Sequence, residues 1–242
     1  MCNNALTQKH VCAYCGKEYV AKKPFSHIIP KQFFRRFKMG INNKDMYSTY
    51  YHRLTQREPI EYLLCHDCEE VFCKWENKFA SEITDKIYGK TLPSKLYIDV
   101  DVKLCALSIL WRVLHCWVVS NTTKKGSLND HDIEYLTVCE RKWFDILKQQ
   151  RDFQIEEADI FVIPVDCIEN SNQDICDYKK YPGIMANIVY EDQGDNKGYF
   201  CIRCLAHKIF FLLICHLFLL FLRGLAFTMR QLKLEKQLCL NQ

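Results

Sequence analysis

Two cysteine pairs carry the first chemistry that can be read from this chain. Cys12-Ala13-Tyr14-Cys15 and Cys65-His66-Asp67-Cys68 are both Cys-x2-Cys turns. A turn of that spacing can aim two sulfurs at one centre, and a closed zinc site needs four ligands at about 2.3 Å or less. Two turns together supply them, so Cys12, Cys15, Cys65 and Cys68 are expected to hold a structural Zn²⁺. Between the pairs lies Ser26-His27-Ile28-Ile29-Pro30. An imidazole titrates near neutrality, so His27 has the right chemistry for a general base. It could equally be a structural histidine donating to a backbone carbonyl. Just past Cys68, Glu69 and Glu76 stand seven residues apart, two turns along one helical face. Their oxygens suit a hard divalent ion, Mg²⁺ or Mn²⁺. The plainer alternative is a favourable negative charge near a helix N-terminus.

Positive charge gathers in the same part of the chain. Lys17, Lys22, Lys23, Lys31, Arg35, Arg36, Lys38 and Lys44 stand against only Glu18 and Asp45 between Gly16 and Asp45. After Pro30, Phe33, Phe34 and Phe37 fall on one helical face, and Lys31, Arg35 and Lys38 on another. With Arg36, that basic side suits phosphate contact, or it is simply a solvated face. The overall charge of +4 over 242 residues is too mild to imply nucleic acid by itself.

The elements that must position these residues follow from periodicity. Gly16 can turn the chain back after the first pair. Residues 39–60 are polar and irregular and read as a long insertion. From Cys68 a helix is expected to about Tyr88, with Phe72, Trp75, Phe79, Ile83 and Ile87 as its apolar stripe. Leu104 to Val119 is apolar on nearly every side, which suits a buried central helix. Its exceptions are Ser108, Arg112 and His115. A buried arginine needs a partner, and a phosphate, a helix glutamate or another internal acid could serve Arg112. Ile133, Leu136, Cys139, Trp143 and Leu147 mark a further helix, completing a helical hairpin. Ile160–Val165 reads as a strand near an edge, because of Pro164. Ile188–Tyr190 and Tyr199–Ile202 read as a β-hairpin.

The tail raises a membrane question. Ile209 to Leu222 is almost unbroken apolar sequence, bounded by Lys208 and Arg223. It falls short of the roughly 20 residues of a spanning helix. A buried strand or helix is favoured over a membrane anchor. Cys201-Ile202-Arg203-Cys204 is a third Cys-x2-Cys, within a strand-like run. The 15 cysteines, with a polar stretch at Met1–His10, point to a reducing cytoplasm and buried free thiols rather than a disulfide scaffold.

Cys12–Cys15, Ser26-His27-Ile28-Ile29-Pro30 and Leu64-Cys65-His66-Asp67-Cys68-Glu69 together resemble the HNH endonuclease superfamily, over about residues 8–80. The resemblance implies a treble-clef, ββα-metal fold braced by a four-cysteine zinc site. It implies His27 as the water-activating base and phosphodiester hydrolysis in nucleic acid, DNA in the first instance, with a role in defence against foreign DNA among relatives. The chain departs from the pattern at Ser26, where the family carries a metal-binding Asp, and at Glu69, where Asn usually follows the last cysteine. It departs again at Phe72, where a ligand or Lys is common, and at Ile60, near the usual middle Asn. The expected architecture is α+β: an HNH-like zinc module over 1–89, a helical region over 90–155, and a β-hairpin region with an apolar C-terminal segment over 156–242. The alternative to a nuclease is a zinc-braced module that binds nucleic acid or a partner protein without catalysis.

Overall fold

The computed structural model describes residues 8–32, 35, 46–48, 53–55, 58–87, 98–123, 130–153, 159–164, 184–192, 198–206 and 209–215. Strand β1 (Gln8–Val11) and β2 (Glu18–Ala21) form an antiparallel hairpin whose turn holds the first cysteine pair. Gly16 takes a positive φ of 75° in that turn, the conformation glycine adopts without strain. The two-residue strand β3 (Ser26–His27) is followed by β4 (Met46–Ser48) and β5 (Arg53–Thr55). Strand β6 (Ile60–Glu61) returns to pair with β3, Ser26 opposite Glu61 and His27 opposite Ile60.

Helix α1 (His66–Phe79) starts directly after Cys65, two residues before the expected start. Cys65 is its extended N-cap, and Asp67 and Glu69 supply negative charge to its first turn. The helix runs on through a π-helical turn, Ala80–Thr84, and a last turn, Asp85–Ile87. Phe72, Trp75, Phe79 and Ile83 are buried as the stripe requires. Helix α2 (Val100–Thr123) and helix α3 (Asp130–Gln149) form the hairpin. From Val102 to Leu114 nearly every side chain of α2 is buried, because α1, α3 and strands of a sheet surround it. On α3, Leu136, Trp143 and Leu147 are buried, while Ile133 and Cys139 sit half-buried at the margin.

The remaining strands are β7 (Asp159–Pro164), β8 (Ile184–Asp192), β9 (Gly198–Ala206) and β10 (Ile209–Cys215). They form a six-stranded sheet in the order β5-β4-β8-β9-β10-β7. Strand β8 pairs with β4 in parallel, and the other neighbours are antiparallel. β7, ending in Pro164, is an edge strand, where a missing N–H is tolerated. β8 and β9 are the expected hairpin, extended at both ends.

The 39–60 stretch was expected to be irregular, but 46–48 and 53–55 are strands of the sheet. Tyr47 and Thr55 favour strands, yet runs of three residues are too short to display an alternating pattern. The apolar 209–222 stretch supplies β10, paired on both sides by β9 and β7, and its residues 216–222 lie outside the described set. No helix among the described residues is long and apolar enough to cross a membrane. The molecule is therefore mixed helix and strand, and its large sheet draws on both the first and the last of the expected regions.

Candidate metal centre

The four-cysteine cluster is assembled by backbone hydrogen bonds. The Cys12 N–H donates to the Lys17 carbonyl and the Gly16 N–H to the Cys12 carbonyl, both at 2.9 Å, closing the first turn. The Ala13 N–H donates to the Leu63 carbonyl at 2.8 Å and so ties the first turn to the approach of the second. The Cys65 N–H points at the Cys12 sulfur at 3.2 Å. As a result all four Sγ atoms lie within 4.8 Å of one another, and Cys15 and Cys65 are 3.7 Å apart. Sulfurs about 2.3 Å from one tetrahedral ion sit about 3.8 Å from each other, so the spacing fits a metal ion. Cys12, Cys65 and Cys68 are buried, Cys15 is half-buried, and none forms a disulfide.

Their protonation is uneven. Burial acts against the Cys15 thiolate, but the Lys17 backbone and the three other cysteines outweigh it and bring the thiol down to about 7. Burial pushes Cys65 and Cys68 up. Without an ion the cluster therefore favours only part of the charge that four thiolate ligands carry. Loading a metal must release protons. Cys201 and Cys204 lie on β9; among the described residues the only grouping that could hold a metal is the first one.

The tip of the first turn is packed into the helices. The Tyr14 ring stands edge-on to Phe72, Trp111 and Phe144, at 5.0, 6.5 and 5.9 Å between centroids. Its hydroxyl donates to the Leu147 carbonyl at 2.8 Å, near the end of α3. Lys148 returns the contact, donating to the Tyr14 carbonyl at 3.2 Å and covering its ring. Burial raises the Tyr14 phenol to about 12, so it remains a donor.

A charged cluster adjoins the cysteines. His27 Nε2 lies 2.8 Å from Glu58 Oε2. Arg112, only 1% exposed, donates from Nη1 to the His27 carbonyl at 2.8 Å and from Nη2 to Glu76 Oε1 at 2.7 Å. Its guanidinium lies 4.7 Å over the Phe72 ring. Glu69 faces the same group. Burial pushes its carboxyl up, against the pull of Arg112 and the nearby Ser26 hydroxyl; Glu76 adds to the rise and His27 opposes it. Among the described residues, buried Glu69 Oε1 and Arg112 Nε have no hydrogen-bond partner.

The expected site residues thus divide. Cys12, Cys15, Cys65 and Cys68 converge, and His27, Glu69, Glu76 and Arg112 converge beside them. Glu76 is committed to Arg112 rather than open to an ion. Arg112 is taken up inside, by Glu76 and the His27 carbonyl, rather than presented to a phosphate. Lys31 and Arg35 are exposed in helical conformation, and Gln32 ties that segment to the Glu76 carbonyl at 3.1 Å. Arg36 and Lys38 lie outside the described residues. His115 turns to Glu140 of α3, at 2.9 Å, and Trp111 donates to the same carboxylate at 2.7 Å. Glu58 was not anticipated. The one signal for it is its place before Pro59, which biases it towards an extended conformation entering β6.

Comparison of the chain with protein-family models, with curated proteins and with solved structures finds no match.

Proposed function

We propose that this chain is an HNH-like endonuclease: a treble-clef, ββα module braced by zinc on Cys12, Cys15, Cys65 and Cys68, hydrolysing phosphodiester bonds in nucleic acid, DNA first. A set of four thiolates is soft and favours zinc over hard cations. The observation that carries the reading is the setting of His27. It sits on a two-residue strand between the cysteine pairs, its ring on Glu58 and its carbonyl on Arg112.

In this reading His27 accepts a proton from the attacking water. Glu69 is the acid that would be offered to a Mg²⁺ or Mn²⁺ ion, which when bound would supply Lewis-acid stabilisation of the scissile phosphate. Arg112 keeps the β3 backbone fixed. Lys31 and Arg35 face solvent, where a phosphate backbone can reach them. The test is nicking of supercoiled plasmid by the zinc-loaded chain with Mg²⁺ or Mn²⁺. His27→Ala should lower the rate by at least about 10²-fold, the usual weight of a general base. Equal nicking by both proteins, or none by the wild type, ends the reading.

A second reading is a binding module without catalysis. Two observations favour it: Phe72 fills the core where the family places a ligand, and Glu76 is neutralised by Arg112. It expects DNA retention without nicking, weakened when Lys31 and Arg35 are both replaced by Ala.

A further inference from the structure

We infer that Glu58 is a positioning residue for His27, holding its imidazole in the Nε2–H tautomer with the lone pair on Nδ1. A neutral imidazole has one donor and one acceptor nitrogen, and the partner of one nitrogen decides the role of the other. An ionised carboxylate can only accept. Glu58 Oε2 is 2.8 Å from Nε2, so the proton belongs there. The two side chains are 20% and 13% exposed, little enough that water does not compete freely for the bond.

The same segment holds the backbone. The Ile28 N–H donates to the Pro59 carbonyl at 3.1 Å, and His27 lies opposite Ile60 in the β3–β6 pair. Pro59 has a fixed φ and restricts Glu58 before it. From the other side Arg112 holds the His27 carbonyl. Ring and main chain are both fixed, and among the described residues nothing hydrogen-bonds Nδ1. That nitrogen is the one left to take a proton from water. Among the described residues, the charged groups near His27 are Glu58, Glu69 and Arg112.

The tautomer can be measured without any catalysis, which keeps this inference separable from the nuclease reading on which its kinetic part rests. In the zinc-loaded full chain, nitrogen-15 spectra of labelled histidine identify the His27 ring by its loss in His27→Ala. A single Nε2–H form is expected in the wild type, and a mixture of tautomers in Glu58→Ala. An Nδ1–H ring in the wild type, or an unchanged tautomer in Glu58→Ala, overturns the inference. In the nicking reaction Glu58→Ala should lower the rate at saturating DNA about 10- to 100-fold, as loss of an orienting partner does, leaving half-saturation unchanged. Weakened DNA binding with an unchanged saturating rate would assign Glu58 to binding and overturn the positioning role. A locked tautomer in a chain that never nicks would sink the nuclease reading and leave this one standing.

Discussion

Ser26 stands in a setting that a carboxylate would not suit. The side chain is fully buried, accepts the Leu64 N–H at 2.9 Å and lies 3.4 Å from the Leu64 carbonyl. A carboxylate there would be desolvated beside Glu69, whose own charge burial already disfavours. Ser26 is thus a brace for the chain entering Cys65. Ser26→Ala should cost about 1–3 kcal/mol, the penalty of leaving a buried donor unpaired, measured by denaturant unfolding of the metal-loaded chain. A change no larger than that of an exposed Ser→Ala would contradict the role. At this scale the sequence was legible where residue types are chemically rare. Cysteine pairs and a histidine between them stand out by spacing alone. Glu58 did not, because a carboxylate in a polar stretch has no distinguishing period, and its meaning comes only from the β3–β6 pairing.

Among the elements, the α1–α2 contact is fastened inside by the Arg112–Glu76 charge pair. Arg112 was legible as a buried arginine in an apolar helix that had to find a partner, and Glu76 proves to be that partner. What the sequence could not rank was an inward acid against an outward phosphate, because both satisfy a guanidinium equally well. Removing one member leaves the other buried and uncompensated, which costs about 3–5 kcal/mol. Glu76→Ala should show a loss of that size in denaturant unfolding. Arg112→Met combined with Glu76→Leu should recover most of it, since apolar replacements of a buried pair are often neutral. If the double replacement is as unstable as the single one, the pair is holding more than itself. The helices were legible because their apolar stripes repeat over many turns. The start of α1 was misplaced by two residues because Cys65 caps it through backbone geometry, with no side-chain cap to announce it.

The whole molecule joins parts that lie far apart in sequence. Strands β4 and β5, from the first quarter, form one edge of a sheet whose other strands come from the last third. Their three-residue length hid them, whereas the long apolar runs of β9 and β10 were visible.

Tyr14, a residue inside the first cysteine turn, makes a long-range tie, because its ring is part of the helical core. Its position couples any ion held by the four cysteines to the packing of the helix hairpin. Coupling free energy between two such events is reciprocal: each alters the other by the same factor. Chelating the metal should therefore lower the melting temperature reported by the hairpin, not only by the cysteine turns. Conversely, Phe144→Ala, which meets Tyr14 at 5.9 Å, should weaken metal affinity in competition with a chromophoric chelator. An unchanged affinity would break the coupling. If the coupling holds, occupancy of the cysteine site acts as a thermostat for the α2–α3 packing, and metal supply sets how much of the chain is folded.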